Sequence, residues 1–193
     1  MAVKSGFGMD VNGLEKLKKQ LQQLREQFPK EATLTVGWDQ NCRYPDGKYV
    51  APIALLQEYG GIVPAPPDMK GKSTVRIPAR PFLRPCIAQH EAKWDYILAQ
   101  GVKEAVTDKS LTGEKILLRA GLTMKADLKA SISAVTAPEL SPYTIRKRLE
   151  KNPYSADALK MGMPAKPLQD SGYMLRSITY FLRPGIPGKG GSS

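Results

Sequence analysis

Few side chains in this sequence could make or break bonds. His90 is the single histidine, and it falls on an apolar stripe between Ile87 and Trp94, a position that predicts a half-buried structural role. Asp170 and Ser171 would supply the other groups of a hydrolytic triad, but no Gly-x-Ser-x-Gly turn surrounds Ser171. The two cysteines, Cys42 and Cys86, cannot build a disulfide framework, and with one histidine they cannot complete a zinc site. Cys86 follows Pro85 on a predicted helix and reads as a small core residue rather than a nucleophile. Gly185-Ile-Pro-Gly-Lys-Gly-Gly lacks the Gly-x4-Gly-Lys-Ser/Thr spacing of a phosphate-binding loop, and no helix can follow it. Carboxylates occur singly, without the clustering that magnesium or calcium requires. The chain is expected not to be an enzyme and to take neither cofactor nor metal.

Charge offers a different chemistry. Lys and Arg number 29 against 18 Asp and Glu, a formal net charge of +11. The excess is concentrated at the end, where the last 55 residues carry nine basic and four acidic groups, including the run Arg146, Lys147, Arg148. Such a surface attracts acidic protein or nucleic acid, or is simply solvated. Aromatic residues make up 7 % and do not alternate with the basic ones, so no stacking platform for single strands is visible. No run of about 18 uncharged apolar residues occurs, so no membrane-spanning helix and no membrane partner are expected. The opening MAVKSGFGMD has no apolar export segment, and the sparse cysteines suit a reducing cytoplasm. A length of 193 residues suffices for one domain with a buried core, or a domain with an arm.

The elements that position these groups follow from spacing. Val11, Leu14, Leu17, Leu21, Leu24 and Phe28 recur every three or four residues, predicting a helix from Asn12 to Phe28. Asn12 caps it, Glu15 stands at the capping-box position, and Pro29 ends it. Residues 32–37 alternate as a strand, and Trp38 to Tyr49, with Asp46-Gly47, form a loop or hairpin tip. Val50 to Tyr59 is helical and stops at Gly60-Gly61. Residues 64–73 form an exposed tip before a strand over 74–78. Pro81 is placed in the first turn of a long helix through Ile87, His90, Trp94, Ile97, Leu98 and Val102, with Pro85 where an amide still lacks a partner. A second long helix spans 112–133, capped by Thr112. After a proline-punctuated stretch over 134–170, holding one or two helical turns past Ser141, a short turn of helix and a strand over 177–182 complete the domain. The chain shows no internal repeat. The class is α+β: a small, mostly antiparallel sheet against two or three long helices, with a long extended arm or loop near the C-terminus. One domain covers 1–183, including the arm at about 134–170, and 184–193 form a flexible tail.

Four segments, in order, resemble one known family. Val50-Ala-Pro-Ile-Ala-Leu-Leu-Gln-Glu-Tyr-Gly60 looks like a helix ending in an Asn/Gln-Glu-aromatic-Gly turn, and Ile77-Pro-Ala-Arg-Pro-Phe-Leu-Arg-Pro85 is similar to an Ile-Pro-x-Arg-Pro-Phe motif. Leu140-Ser-Pro-Tyr-Thr-Ile-Arg-Lys-Arg148 resembles a proline-serine lead into Thr-x-x-x-Arg/Lys, and Pro167-Leu-Gln-Asp-Ser-Gly-Tyr-Met-Leu-Arg-Ser-Ile178 looks like Pro-Leu-x-Asp-Thr-Gly-x-Leu-x-x-Ser-Ile, with Ser171 for threonine. The family is the tail completion or neck proteins at the head–tail joint of tailed bacteriophages. The resemblance covers roughly residues 50 to 180. It implies an α+β fold, no catalysis and a homo-oligomeric ring, sixfold or twelvefold, joining the head–tail connector to the tail tube or tail terminator protein. It also implies a place in the neck or upper tail of the virion, with assembly in the host cytoplasm and non-specific contact with packaged DNA open. A tail terminator and a basic DNA-binding protein are the alternative readings.

Within these motifs, Phe82 is expected to anchor the strand-to-helix corner in the core, and Arg80 to pair with Glu58 or a neighbouring subunit. Asp170 or Ser171 can cap the short turn that follows, and Gly172 relieves its bend. Ordering the arm costs about 1–2 kcal/mol per residue, so its apolar groups need a surface to cover, either a partner's or that of their own domain. Candidate interface residues are therefore Arg80 and Phe82, then Tyr143, Arg146, Lys147 and Arg148, and beyond them Tyr154, Leu159, Met161 and Met163, where methionines tolerate an imperfect fit.

Overall fold

A computed structural model describes residues 18–19, 22–23, 25–26, 32–151 and 165–184. The chain is α+β, with small antiparallel strand pairs against two long helices. Strand β1 (Ala32–Gly37) is followed by helix α1 (Val50–Tyr59), then β2 (Gly61–Pro64) and β3 (Thr74–Ile77). The long helices are α2 (Leu83–Thr107) and α3 (Gly113–Ala134), and α4 (Pro142–Lys151), α5 (Tyr173–Arg176) and β4 (Thr179–Pro184) complete the order. β1 pairs with β4 and β2 with β3, both antiparallel, with Leu34 opposite Leu182 and Ile62 opposite Arg76.

The predicted N-terminal helix lies largely outside the described residues. Its described members Lys18, Lys19, Gln22, Gln23, Arg25 and Glu26 are helical and exposed. Residues 185–193 and the arm's centre, with Tyr154, Leu159, Met161 and Met163, also lie outside them.

Local signals account for most boundaries. The Thr112 side chain accepts a hydrogen bond from the Lys115 amide at the start of α3. Asp46-Gly47 forms the tip of a turn in which Tyr44 N–H donates to the Lys48 carbonyl, with Gly47 at φ 84°. Gly60 ends α1 at φ 71°, and a Cβ there would lie 2.7 Å from the Ala79 nitrogen, so only glycine lets the 77–79 backbone cross so closely. α2 begins two residues later than Pro81 suggests. Phe82 is its flanking residue and Pro85 sits in its first turn, where no amide is needed. After Ser141 a ten-residue helix forms, longer than the one or two turns expected: the Ser141 hydroxyl accepts from the Thr144 amide at its start, and Lys147 and Arg148 tie its later turns to Asp68 and to residues 166–170.

The core joins α1, the start of α2, the end of α3 and the α5 region through Val50, Ala54, Phe82, Cys86, Leu128, Ile132, Met174 and Ile178. Trp38 closes it, its indole packing edge-on against Phe82 and donating to the Met174 carbonyl at 2.8 Å. The β1–β4 pair rests on α3 at Gly121, where a Cβ would meet Tyr180 at 2.8 Å and Leu34 at 2.9 Å. On α2, His90 is half-buried with its ring 6.1 Å from that of Trp94, and the Trp94 indole donates to Asp127 of α3.

Candidate subunit and partner interface

The motif residues meet at one junction. Glu58, on the last turn of α1, reaches under the start of α2. Its Oε2 accepts from the amides of Phe82 (2.7 Å) and Leu83 (2.8 Å), and its Oε1 from the Arg84 amide (3.2 Å) and the Arg84 Nε (2.9 Å). A helix start leaves its first amides without intrahelical partners, and Phe82 offers no side-chain cap. Glu58 supplies the cap from another element, with a negative charge at the positive end of the helix dipole. It is 1 % exposed. Burial raises its pKa, but the Leu83 and Phe82 amides and the Arg84 guanidinium outweigh this and hold the carboxyl below its ordinary value.

Arg80 does not pair with Glu58, contrary to the expectation from sequence. Glu58 is taken by the helix start and by Arg84, one turn further on. Arg80 extends the other way, its Nε donating to the Pro138 carbonyl (2.8 Å), Nη2 to the Glu139 carbonyl (2.9 Å) and Nη1 to Gln57 Oε1 (3.2 Å). The chain folds so because the Arg80 amide donates to the Gln57 carbonyl at 2.7 Å, which fixes the extended 78–81 corner alongside α1. Burial lowers the Arg80 pKa, and the charge of Arg148 adds to this. Arg80 is 5 % exposed and Phe82 1 %. Neither therefore offers surface to a second copy, and both leave the list of interface candidates; Phe82 is the core anchor expected of it.

The described parts of the arm are tied to the body. The side chain of Arg148 donates through Nη1 to the carbonyls of Lys166 (2.8 Å) and Gln169 (3.3 Å), and its Nε lies 3.4 Å from Asp170. Burial lowers the Arg148 pKa against the opposing pull of Asp170. Ser171 caps the turn before α5 by accepting from the Tyr173 amide at 3.3 Å, and Gly172 takes φ 69°. A cavity of about 300 Å³ opens beside this knot, walled by Tyr44, Ile53, Leu168 and Tyr173 with the ion pairs Lys48–Asp46 and Arg148–Asp170 at its edge.

Tyr143 and Lys147 face the β2–β3 hairpin. The Tyr143 hydroxyl donates to Asp68 Oδ1 (2.5 Å), and Lys147 Nζ lies 2.7 Å from Asp68 Oδ2 and 3.0 Å from Glu150. Arg146 Nε is 3.8 Å from Glu150, with its guanidinium over the Tyr143 ring. Hydrogen bonds from Lys147 and Tyr143 lower the Asp68 pKa, and the same contacts raise those of Tyr143 and Lys147. The basic run thus meets an acidic side chain at each residue.

Among the described residues, no three or more His, Cys, Asp or Glu side chains converge as a metal site. Asp170 faces Arg148 and Ser171 faces the Tyr173 amide, while His90 stands against Trp94 on α2. No described helix is long and apolar enough to cross a membrane. Sequence reasoning missed Glu58 as a cap and Asp68 as a clasp. The first had a signal, since Gln57-Glu58 belongs to a quoted motif; the second had none.

Comparison of the chain with protein-family models, with curated proteins and with solved structures finds no match.

Proposed function

We propose that the protein is a structural component of a tailed-bacteriophage virion, a tail completion or neck protein whose copies form a ring between head connector and tail. One observation carries this reading: four motif segments scattered from residue 50 to residue 178 lie in one knot. Gln57 binds Arg80, Glu58 caps the helix behind Phe82, Arg80 holds residues 138–139, and Arg148 gathers residues 166–170. Segments that build one site in a family are expected to lie together in its fold, and these do so directly or through residues 138–139 beside the third segment. The protein works here by shape and adhesion, without turnover. Neutralisation of Arg146, Lys147 and Arg148 within the chain favours protein over phosphate as the counterpart of α4.

Purified particles decide the matter. The protein is expected in several copies per virion, as a closed ring at the head–tail joint by cryo-electron microscopy. Heads and tails made without it are expected to stay apart until the purified protein is added. Its absence from mature particles overturns the reading, and duplex binding that weakens steeply with salt replaces it with nucleic-acid binding. Rings on the ends of tails that have never met a head reassign the protein as a terminator.

A further inference from the structure

The β2–β3 hairpin stands apart from the other strands. Among the described residues β2 and β3 pair with each other alone, and a two-stranded sheet is marginal in water until its faces are covered. Strand alternation gives the hairpin two faces. Gly61, Val63, Val75 and Ile77 form one and are half-buried, whereas Ile62, Pro64, Thr74 and Arg76 form the other and are all exposed. Ile62 is 72 % exposed, directly across from Arg76. In the turns of α1 that lead into β2, Leu55 and Tyr59 are exposed as well, with the Arg84 guanidinium over the Tyr59 ring.

Both ends of this hairpin are fixed. At its root the Arg80 amide donates to the Gln57 carbonyl, and Gly60 lets residues 77–79 cross close by. At its tip the Ala65 amide donates to the Ser73 carbonyl, the Met69 amide to the Pro66 carbonyl, and Asp68 is held by Tyr143 and Lys147 of α4. A surface held in place beforehand loses little freedom when a partner arrives.

Charge selects that partner. Lys70, Lys72 and Arg76 are exposed on the hairpin, and none of them pairs with a carboxylate of the described chain. The hairpin's own acid, Asp68, is spent on α4. The elements tied to the hairpin are balanced within themselves: Glu58 of α1 meets Arg84 of α2, Glu150 of α4 meets Arg146 and Lys147, and Arg148 turns to Asp170. Glu139, beside the carbonyls that Arg80 holds, is the carboxylate left over against three cations. A second copy does not answer them, since the chain is +11 and even its long α2–α3 stretch, residues 83–134, holds eight basic and six acidic groups. Phosphate would answer the cations but gains nothing by covering Ile62, and apolar exposure of this kind marks contact with protein.

We infer that the exposed face of the β2–β3 hairpin docks a different protein, one whose contact surface has an apolar centre and an acidic rim. The centre covers Ile62, and the rim meets Lys70, Lys72 and Arg76. This docking goes beyond the ring proposed above and does not depend on it.

Full-length protein with the photocrosslinker p-benzoylphenylalanine in place of Ile62 tests this. It is made in its native cell, irradiated and purified under denaturing conditions, and the linked peptides are sequenced by mass spectrometry. One main adduct is expected, joined to a different protein at a site where Asp and Glu outnumber Lys and Arg. Reversing the cations, with Lys70→Glu, Lys72→Glu and Arg76→Glu, is expected to lower its yield about tenfold or more, with the melting temperature unchanged because all three side chains are exposed. Should that triple variant fold poorly, Lys70→Gln with Lys72→Gln is expected to lower the yield about threefold. Adducts with the chain itself, with nucleic acid or with lipid, no adduct, or a yield indifferent to these charges overturns the docking. The same peptide captured equally well from Val106, exposed on α2, overturns it too. A partner that is no part of a virion leaves the docking standing and counts against the neck reading alone.

Discussion

Two carboxylates hold distant segments together in this protein, and they do so under opposite conditions. Glu58 accepts four hydrogen bonds in a site 1 % exposed. Asp68 accepts from Tyr143 and Lys147 with its side chain 44 % exposed. At Glu58, water cannot replace what the carboxylate supplies, so losing it strands the α2 amides in a dry place. At Asp68, water stands beside the pair, and either partner can exchange it at little cost. The same functional group therefore defines the fold in one region and makes a separable contact in the other. The assembly role proposed above would draw on both: a junction that stays closed, and a surface that can trade its internal contacts for those of a partner.

The contrast breaks most readily at Glu58. Glu58→Ala is expected to lower stability by about 3–5 kcal/mol, because three amides and one guanidinium lose their acceptor together. Urea unfolding reads this as a lower midpoint with an unchanged slope. A loss under about 1 kcal/mol would place Glu58 on the level of a surface pair. Arg80→Met comes next, at about 2–4 kcal/mol, since it leaves the Pro138 and Glu139 carbonyls and Gln57 without their donor. Hydrogen exchange is expected to accelerate around residues 138–141 before it does elsewhere.

Acid sharpens the comparison. The folded pKa of Glu58 lies below its ordinary value of 4.5, so its contribution is fully present above about pH 4.5 and disappears as pH falls through the lower, folded value. The stability gap between the native protein and Glu58→Gln is therefore expected to be constant near neutrality and to narrow below pH 4.5 in urea titrations. A gap that widens with acid contradicts the capping role. The smallest effect belongs to Asp68→Asn, whose unfolding midpoint is expected to stay within measurement error. Its signature is the Tyr143 hydroxyl, whose raised pKa comes chiefly from the Asp68 hydrogen bond and is expected to fall back toward 10 in a tyrosine-resolved NMR titration. An unmoved Tyr143 denies the clasp.

Elements governed by neighbours in sequence were legible in advance. The apolar period of α1 and α3, the Thr112 cap, the Gly60 stop and the Asp46-Gly47 turn each depend on atoms within a few residues. Pairings across the chain were not. Nothing in residues 32–37 says that β4 is their partner, and an exposed Asp68 in a proline-rich tip looks like any solvated carboxylate. Arg80 shows the limit most clearly. Its burial follows from the stiff Pro78–Pro81 corner, but its partners are carbonyls of residues 138 and 139, and every residue, proline included, carries a backbone carbonyl.

The sequence by itself determined the class of the fold, the ends of α1 and, to within a residue, of α3, and the scarcity of reactive groups, because propensity, capping and periodicity act over one or two turns. Only the tertiary structure decided that Glu58 caps a helix from outside, that Arg80 turns away from it, and that the basic run of α4 is answered within the chain. Those outcomes depend on which distant groups burial brings within about 3 Å of each other, a distance that residue spacing along the chain does not encode.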